Sequence, residues 1–190
     1  MKRLRQTTEN SPEYTDRQFD DVWTGKLGGV DEDRFKLLMS RYKRGAILDV
    51  GCFDSPIPIW YDTAIGIDYS PHTIDVLSKK YPKATYACKD ALDTGFPPET
   101  FDYIVAGETI EHIEDIKDFV LEMMRILKKR GILAISTPFD EANNSKVSGQ
   151  HVWSFIEADI IELFRGSGEV ETSIYKEGSF TMIIAFITKW

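Results

Sequence analysis

Two apolar segments, each with an acid at or near its end, most constrain what this chain can fold into. The first, residues 46–50, contains Asp49 and breaks into Gly51, and the second, residues 65–67, ends at Asp68. Short apolar runs of this kind are typical of buried parallel strands. Glycine lets the backbone approach a ligand closely, and a carboxylate ending the next strand can accept hydrogen bonds from two ribose hydroxyls. The pair therefore predicts an adenosine-binding crevice where two neighbouring strands end.

Strand and helix patterns alternate along the rest of the chain. Ser70 and Pro71 open a predicted helix over 71–80, with serine as its N-cap and proline at its first position. Further helices are predicted over 115–129 and from 154 or 155 to 164, and the seven predicted strands are 46–50, 64–68, 84–88, 101–106, 131–136, 170–175 and 180–188. The pattern predicts an α/β fold: a doubly wound, mostly parallel, seven-stranded Rossmann-like sheet with a C-terminal antiparallel hairpin.

Composition bounds the partners and the surroundings of the chain. Its 190 residues suit one main domain, and a net charge of −8 disfavours a large nucleic-acid footprint. The cysteines, Cys52 and Cys88, suggest no disulfide framework. The longest apolar run, 182–187, is too short to span a bilayer. We expect a cytoplasmic protein with no membrane segment, and a homodimer is one possible assembly.

The first residues are set apart by their polar composition. Residues 1–28 are predicted to form an N-terminal arm or lid, with a short helix around 15–23, and residues 29–190 to form the main domain. Tyr14, Phe19 and Trp23 are the aromatic residues that such a lid would close over a ligand. A frayed tail is the alternative interpretation.

Five segments in a fixed order carry a resemblance to a known family. After the Asp49–Gly51 and Asp68 segments come Asp90-Ala91-Leu92, then 101–107, then 131–138. Together they resemble the class I S-adenosylmethionine-dependent methyltransferases of the small-molecule, quinone and natural-product type. A dinucleotide-binding dehydrogenase would instead carry a Gly-x-Gly-x-x-Gly loop.

The resemblance implies S-adenosylmethionine as the cofactor and assigns the residues around it. It places Asp49, Gly51, Cys52 and Phe53 near the amino-acid end of the cofactor, and Gly107 and Glu108 beside its methionyl part. Asp68 matches the ribose-binding acid, with a partner of the helix N-cap as its alternative role. The remaining matches border the adenine, and they are Tyr69, Asp90, Ala91 and Leu92. For Asp90, capping a turn is the alternative.

The loop after the first strand departs from the family pattern. The family usually has Gly-x-Gly-x-Gly, whereas this chain has Gly51 followed by Cys52, Phe53, Asp54 and Ser55. An inward Phe53 ring would occupy space that the methionyl group needs. We therefore predict that Phe53 turns its ring away from the cofactor and packs on apolar neighbours.

Acidic and imidazole groups follow the fourth and fifth predicted strands. If residues 108–112 form a helical turn, Glu108, Glu111 and His112 lie on one face. His151 follows the fifth strand, so we expect His112 and His151 to face one acceptor pocket, with His112, His151 and Glu111 as the catalytic candidates. Two nearby carboxylates should favour the protonated form of His112. Packing or helix anchoring is the alternative role for each histidine.

Three functions are compatible with these residues. The first is methylation of an oxygen or nitrogen on a small-molecule acceptor, without a metal. The second is metal-dependent methylation of an RNA ribose 2′-hydroxyl, because Glu108, Glu111, His112 and His151 resemble the metal-ligand set of small-RNA 3′-end ribose methyltransferases. The third is a non-catalytic cofactor-binding subunit, suggested by the altered Phe53 loop.

Overall fold

A seven-stranded sheet forms the centre of the protein. The computed structural model describes residues 1–4, 32–53, 55–141, 150–177 and 180–190. A two-stranded antiparallel pair, β1 (Lys2–Arg3) with β7 (Trp153–Ser154), stands apart from the main sheet. The strands of the main sheet are β2 (Ile47–Val50), β3 (Ala64–Asp68), β4 (Thr85–Cys88), β5 (Phe101–Gly107), β6 (Leu127–Pro138), β8 (Gly168–Glu177) and β9 (Phe180–Lys189).

The order of the strands is β4-β3-β2-β5-β6-β9-β8. The first five strands in this order run parallel to one another, and β9 lies antiparallel between β6 and β8. This arrangement confirms the predicted doubly wound sheet with a C-terminal antiparallel hairpin. The order reverses at β2, so the carboxyl ends of β2 and β5 flank a crevice of the kind that binds ligands in open α/β sheets.

Helices cover both faces of the sheet. They are α1 (Glu32–Leu38), α2 (Ile57–Trp60), α3 (Pro71–Lys80), α4 (Ile116–Ile126) and α5 (Glu157–Leu163), with a 3₁₀ turn at Ile110–His112. Helices α4 and α5 pack their apolar residues on one face of the sheet, while α1 and α2 share a second core on the other. The predicted start of α3 is confirmed, because the Ser70 hydroxyl accepts a hydrogen bond from the Thr73 amide at 2.9 Å.

The boundary between α4 and β6 differs from the prediction. The helix was expected over 115–129, but it ends at Ile126, and β6 starts at Leu127 rather than near 131. Leu127 is fully buried and pairs with Phe101, and the Lys128 ammonium lies 2.7 Å from the Asp102 carboxylate. These tertiary contacts override the helix propensity of the Lys-Lys-Arg segment.

The first four residues are attached to the segment that follows β6. The amide of Leu4 donates to the Val152 carbonyl at 2.8 Å, and the Arg3 guanidinium lies 5.6 Å from the centre of the Trp153 ring. The rest of the predicted arm, including its helix around 15–23, lies outside the described residues. Within the described ranges, no helix is long and apolar enough to cross a membrane.

Replacement of Gly51 by alanine should destabilise the fold more than replacement of Gly95. Both glycines have φ +68°, so both variants incur the cost of a left-handed residue, about 1–2 kcal/mol. A Cβ on Gly51 would also lie 2.6 Å from the Thr109 hydroxyl, whereas a Cβ on Gly95 would meet the Lys89 ammonium at 3.7 Å. We expect this clash to cost Gly51→Ala a further 1–3 kcal/mol or so in urea unfolding. Equal losses in the two variants would contradict the close approach.

Candidate active site

The turn after β2 forms the floor of the crevice. The amides of Gly51 and Cys52 both donate to the Ile67 carbonyl, at 2.9 and 3.0 Å. Asp49, one residue before the end of β2, is 2 % exposed. The structure therefore brings the ends of β2 and β3 together, as the sequence predicts, with Asp49 and Gly51 beside the end of β3.

Asp68 and Tyr69 lie where β3 leaves the sheet. One carboxylate oxygen of Asp68 accepts from the Ser70 amide at 2.9 Å, so this acid does take part in the start of α3. Asp68 is 5 % exposed, whereas the next residue, Tyr69, is 39 % exposed. The arrangement suits a buried acceptor for hydroxyl groups next to a ring on which a base can stack.

Cys52 and Phe53 belong to a small apolar cluster with Leu77. Cys52 is fully buried and packs with Leu77. Its sulfur also lies close to the backbone of β3, since a Cβ on Gly66 would be 3.0 Å from it. Burial, and then the charges of Asp49 and Asp68, raises the pKa of this thiol. Only the backbone of Cys52 can thus contribute to a ligand site, while Phe53 packs against the Cys52–Leu77 cluster, where apolar packing was predicted.

The segment after β4 is a turn capped by its own acid. A carboxylate oxygen of Asp90 accepts from the Leu92 amide at 2.8 Å, which realises the turn-capping alternative for this residue. Ala91 and Leu92 pack against the core below α4. Farther along, the buried Glu122 carboxylate accepts from both the amide and the hydroxyl of Thr94, at 2.9 and 2.5 Å, and this fixes the loop.

The other side of the crevice is formed by the residues that follow β5. Glu108 adopts φ +53°, a left-handed conformation that is uncommon for a residue with a side chain, and its amide donates to the Ser136 carbonyl at 2.9 Å. Arg34 on α1 lies 3.6 Å from the Glu108 carboxylate. Such strained residues cluster at functional sites.

Glu111 is a buried acid in the 3₁₀ turn. It is 1 % exposed, and one of its oxygens accepts from the Thr137 hydroxyl at 3.0 Å. Its other oxygen has no hydrogen-bond partner among the residues that the structure describes. The Glu111 carbonyl accepts from the Val152 amide at 2.8 Å, which joins this turn to the segment that carries His151.

The structure brings His112 and His151 together, as predicted. Their ring centres are 4.7 Å apart in an edge-to-face arrangement. Glu111, His112 and His151 each offer one potential ligand atom, and these atoms lie within 4.8 Å of one another. The His151 Nδ1 is also hydrogen-bonded to the Glu141 carboxylate. The predicted catalytic candidates thus form one cluster.

Burial sets the charge states in this cluster. It raises the pKa of Glu111 well above its ordinary value, an effect that the neighbouring Glu108 charge increases. Burial also raises the pKa of Glu108, against the attraction of Arg34. The expectation of a protonated His112 was wrong: burial, followed by repulsion from His151, lowers its pKa to about 4. Two nearby carboxyls do not protonate an imidazole when desolvation outweighs their charge.

Sequence reasoning missed three residues of this cluster. Arg34 lies on α1, Thr137 belongs to the strand end of β6, and Glu141 follows that strand. Thr137 stands in a Ser-Thr-Pro segment at a strand end, which is a position where site residues are common. Arg34 and Glu141 had no comparable signal, because their partners are distant in sequence or across a loop.

Comparisons with known proteins agree with this geometry. Residues 48–135 match the family described as "Methyltransferase domain". A probable S-adenosylmethionine-dependent methyltransferase of Mycolicibacterium smegmatis is 28 % identical over 115 residues, which cover 58 % of this chain and 45 % of the relative. A ubiquinone biosynthesis O-methyltransferase of Pelagibacter ubique is 32 % identical over 104 residues, covering 48 % and 41 %. The chain spans less than half the length of these curated relatives.

A solved structure supports the fold. The N-methyltransferase NodS of Bradyrhizobium japonicum, in complex with S-adenosyl-L-homocysteine, superposes with a TM-score of 0.74 at 18 % identity. The match covers 95 % of this chain and 98 % of NodS. At this identity the comparison establishes the architecture of the sheet and its helices.

Acidification should destabilise the protein through His112. Its pKa is about 4 in the fold against an ordinary 6.5, so between these values the unfolded chain binds a proton that the fold does not. Stability is therefore fully present above pH 6.5 and falls as the pH drops toward 4. Because the ring is partly exposed, we expect His112 to account for about 1–2 kcal/mol between roughly pH 7 and pH 5. Urea unfolding of wild type and His112→Asn measures this, and an equal pH effect in both would contradict it.

Proposed function

Because the chain belongs to the class I S-adenosylmethionine-dependent methyltransferases, we propose that it methylates an oxygen or nitrogen of a small-molecule acceptor. The observation that carries the proposal is the cluster of Glu111, His112 and His151 on the acceptor side of the crevice. Glu108, which directly follows β5, lies close enough to Glu111 to raise its pKa. Methyl transfer needs alignment and a place for the acceptor's proton, and the cluster supplies candidates for both.

The cofactor would lie along the ends of β2, β3 and β5. Asp68 would bind its ribose hydroxyls, Tyr69 and Leu92 would border its adenine, and the backbone at Gly51 would approach its amino-acid end. The cofactor supplies a methyl group on a positively charged sulfur, and the carbon–sulfur bond breaks as the acceptor's lone pair bonds to that carbon. The carboxyl groups of Asp49, which is buried, and of Glu108, which is half-buried, would lie on the side of the sulfonium.

The protein's own chemical task is to accept a proton. His112, with a pKa of about 4, is a weak base at neutral pH, and burial raises the pKa of Glu111 well above its ordinary value, which favours its protonated form. His151 is the remaining candidate, because its Nδ1 is engaged by Glu141 and its Nε2 remains for the acceptor. We therefore assign the proton to Nε2 of His151, with Glu111 as a hydrogen-bond donor nearby.

A phenolic hydroxyl is the acceptor that these residues suit best. The Pelagibacter ubique relative is named for O-methylation in ubiquinone biosynthesis, although it shares less than half its length with this chain. An imidazole can take the proton of a phenol, whose acidity lies close to that of a tyrosine side chain. Next to His151, Val152 is buried and Trp153 is partly buried against the core. These apolar side chains would suit an aromatic acceptor.

A metal-dependent enzyme is the second candidate, and the spacing of Glu111, His112 and His151 favours it. One carboxylate oxygen and two imidazole nitrogens are ligands that divalent transition metals accept, and the unpartnered oxygen of Glu111 could bind one. Such a site would fit methylation of an RNA ribose. The net charge of −8 weighs against an RNA track.

Asp68→Ala should weaken binding of S-adenosylhomocysteine by about 1.5–3 kcal/mol, the range for hydrogen bonds to a charged acceptor. Asp75→Ala is the matched control, since Asp75 is an exposed acid on α3 that pairs with Lys79. Isothermal titration calorimetry of the three proteins measures the effect. An affinity unchanged by Asp68→Ala would remove this residue from the cofactor site.

Turnover should occur with a phenolic acceptor and survive a chelator. The assay measures S-adenosylhomocysteine formed from S-adenosylmethionine with 3,4-dihydroxybenzoate, a simple phenol, tyramine or an RNA oligonucleotide, each with and without EDTA. We expect a phenol or catechol to be methylated equally in both conditions. Loss in EDTA that manganese or magnesium restores, above all with RNA, would instead support the metal-dependent candidate. Cofactor binding without any turnover would favour a non-catalytic subunit.

A further inference from the structure

We propose that Glu141 is a positioning residue, which fixes the tautomer and the orientation of His151 for proton transfer. The inference rests on the proposed function and deepens it. It assigns a role to a residue that is not among those matched to the cofactor. Glu141 would not touch the acceptor. It would act through Nδ1 of His151, so that Nε2 faces the acceptor without its proton.

The backbone places the two side chains opposite each other. Phe139 forms a β-bridge with Phe155, and the Asp140 amide donates to the Phe155 carbonyl at 2.8 Å. These contacts hold the end of β6 beside the segment that leads into α5. Glu141 and His151 are therefore neighbours in space although ten residues separate them, and Nδ1 of the ring bonds to the carboxylate.

Both partners are largely removed from water. The side chains of His151 and Glu141 are 12 % and 11 % exposed. A hydrogen bond between an imidazole and a carboxylate is stronger in such surroundings than at the surface, because water does not compete for either group. The bond requires Nδ1 to be the donor, since an ionised carboxylate can only accept. The tautomer with a free Nε2 follows from that requirement.

A purely structural link would not need a charge at this position. The ends of the loop are already joined by the backbone contacts of Phe139 and Asp140. Glu141 also lies near enough to Glu108 and Glu111 to raise the pKa of both, so its charge is costly where it stands. That cost is offset when His151 becomes positive. A carboxylate here therefore suits an imidazole that gains a proton during the reaction.

The proton balance is complete with these groups. The acceptor oxygen or nitrogen forms a bond to the methyl carbon, the carbon–sulfur bond breaks, and its electron pair stays on sulfur. The acceptor's proton moves to Nε2 of His151, while the proton on Nδ1 remains hydrogen-bonded to Glu141. The imidazolium then loses a proton to solvent, which restores the starting tautomer.

Nitrogen-15 NMR of the full chain tests the positioning without any acceptor. The sequence contains three histidines, so the ring signals are few, and His151→Gln identifies those of His151. Spectra are recorded well above neutral pH, with EDTA and S-adenosylhomocysteine present. We expect a single tautomer in the wild type, with the proton on Nδ1, and the same tautomer in Glu141→Asp. Glu141→Ala should show a mixture, and so should Glu141→Gln, because an amide can accept from Nδ1 or donate to it.

Two spectral results would overturn the proposal. One is a wild-type His151 that carries its proton on Nε2, and the other is a tautomer that stays unchanged in Glu141→Ala. Backbone amide spectra of each variant establish that it is folded. If Glu141→Ala does not fold, Glu141→Gln, which keeps the size of the side chain, decides in its place by the same criterion.

Kinetics with the phenolic acceptor give a second readout. Glu141→Ala should lower kcat about 10–100-fold, by analogy with carboxylates that orient metal-binding histidines, with KM for S-adenosylmethionine unchanged. Glu141→Asp should restore most of the loss. Glu162→Ala should leave kcat unchanged, because Glu162 is an exposed acid of α5 that pairs with Arg165. A wild-type kcat in Glu141→Ala overturns the proposal. Failure of every acceptor would count against the proposed function alone, since the NMR result does not depend on turnover.

Discussion

Both halves of the site depend on how the backbone is held where β2 ends. The Ile67 carbonyl accepts from the amides of Gly51 and Cys52, and the Val50 carbonyl accepts from the Thr109 hydroxyl at 2.9 Å. Buried backbone groups must be paired, so these bonds leave the turn little freedom. The first pair of bonds ties β2 to the cofactor side of the crevice, and the second ties it to the acceptor side. Any shift of this turn would therefore move both groups of residues together.

Desolvation, more than the number of acids, decides the charges on the acceptor side. Burial favours the neutral form of both groups, because it raises the pKa of Glu111 and lowers the pKa of His112 to about 4. The other acids have partners: Arg34 lies beside Glu108, and Glu141 is hydrogen-bonded to His151. Under the proposed function, an acceptor in this space would meet hydrogen-bonding groups whose neutral forms are favoured and one imidazole that is bonded to a carboxylate. Such surroundings favour transfer of a proton over binding of an anion.

The parts of the structure that are local in sequence could be predicted, and the others could not. The strands at 47–50, 64–68 and 101–107 were recognised because each is a mostly apolar run that ends in, or is directly followed by, an acid or a glycine. The start of α3 was recognised because Ser70 and Pro71 stand directly before it. The start of β6 was missed, since burial of Leu127 against Phe101 and the contact between Lys128 and Asp102 are tertiary effects.

The charge state of His112 and the role of Glu141 were missed for a related reason. The sequence shows which acids are near His112 along the chain, but it does not show how much water remains around the ring. Glu141 belongs to a polar stretch that resembles any surface loop, and only its contact with His151 distinguishes it. Patterns of residue types predict hydrogen bonds within a strand or helix well, whereas they carry little information on pairs brought together by a bridge such as Phe139 with Phe155.

This division explains why the cofactor can be inferred with more detail than the acceptor. The cofactor side consists of strand ends and the turns that follow them, and these short segments lie within residues 48–135, which match the methyltransferase domain. The acceptor side is assembled from pieces that are distant in sequence. The Val152 amide donates to the Glu111 carbonyl, and the Trp153 indole donates to the Ile113 carbonyl at 2.8 Å. In addition, β1 pairs with β7. Each of these contacts can change without disturbing the sheet. One fold can therefore keep its cofactor site while the wall around the acceptor is rebuilt, and the acceptor has to be identified from the groups in that wall.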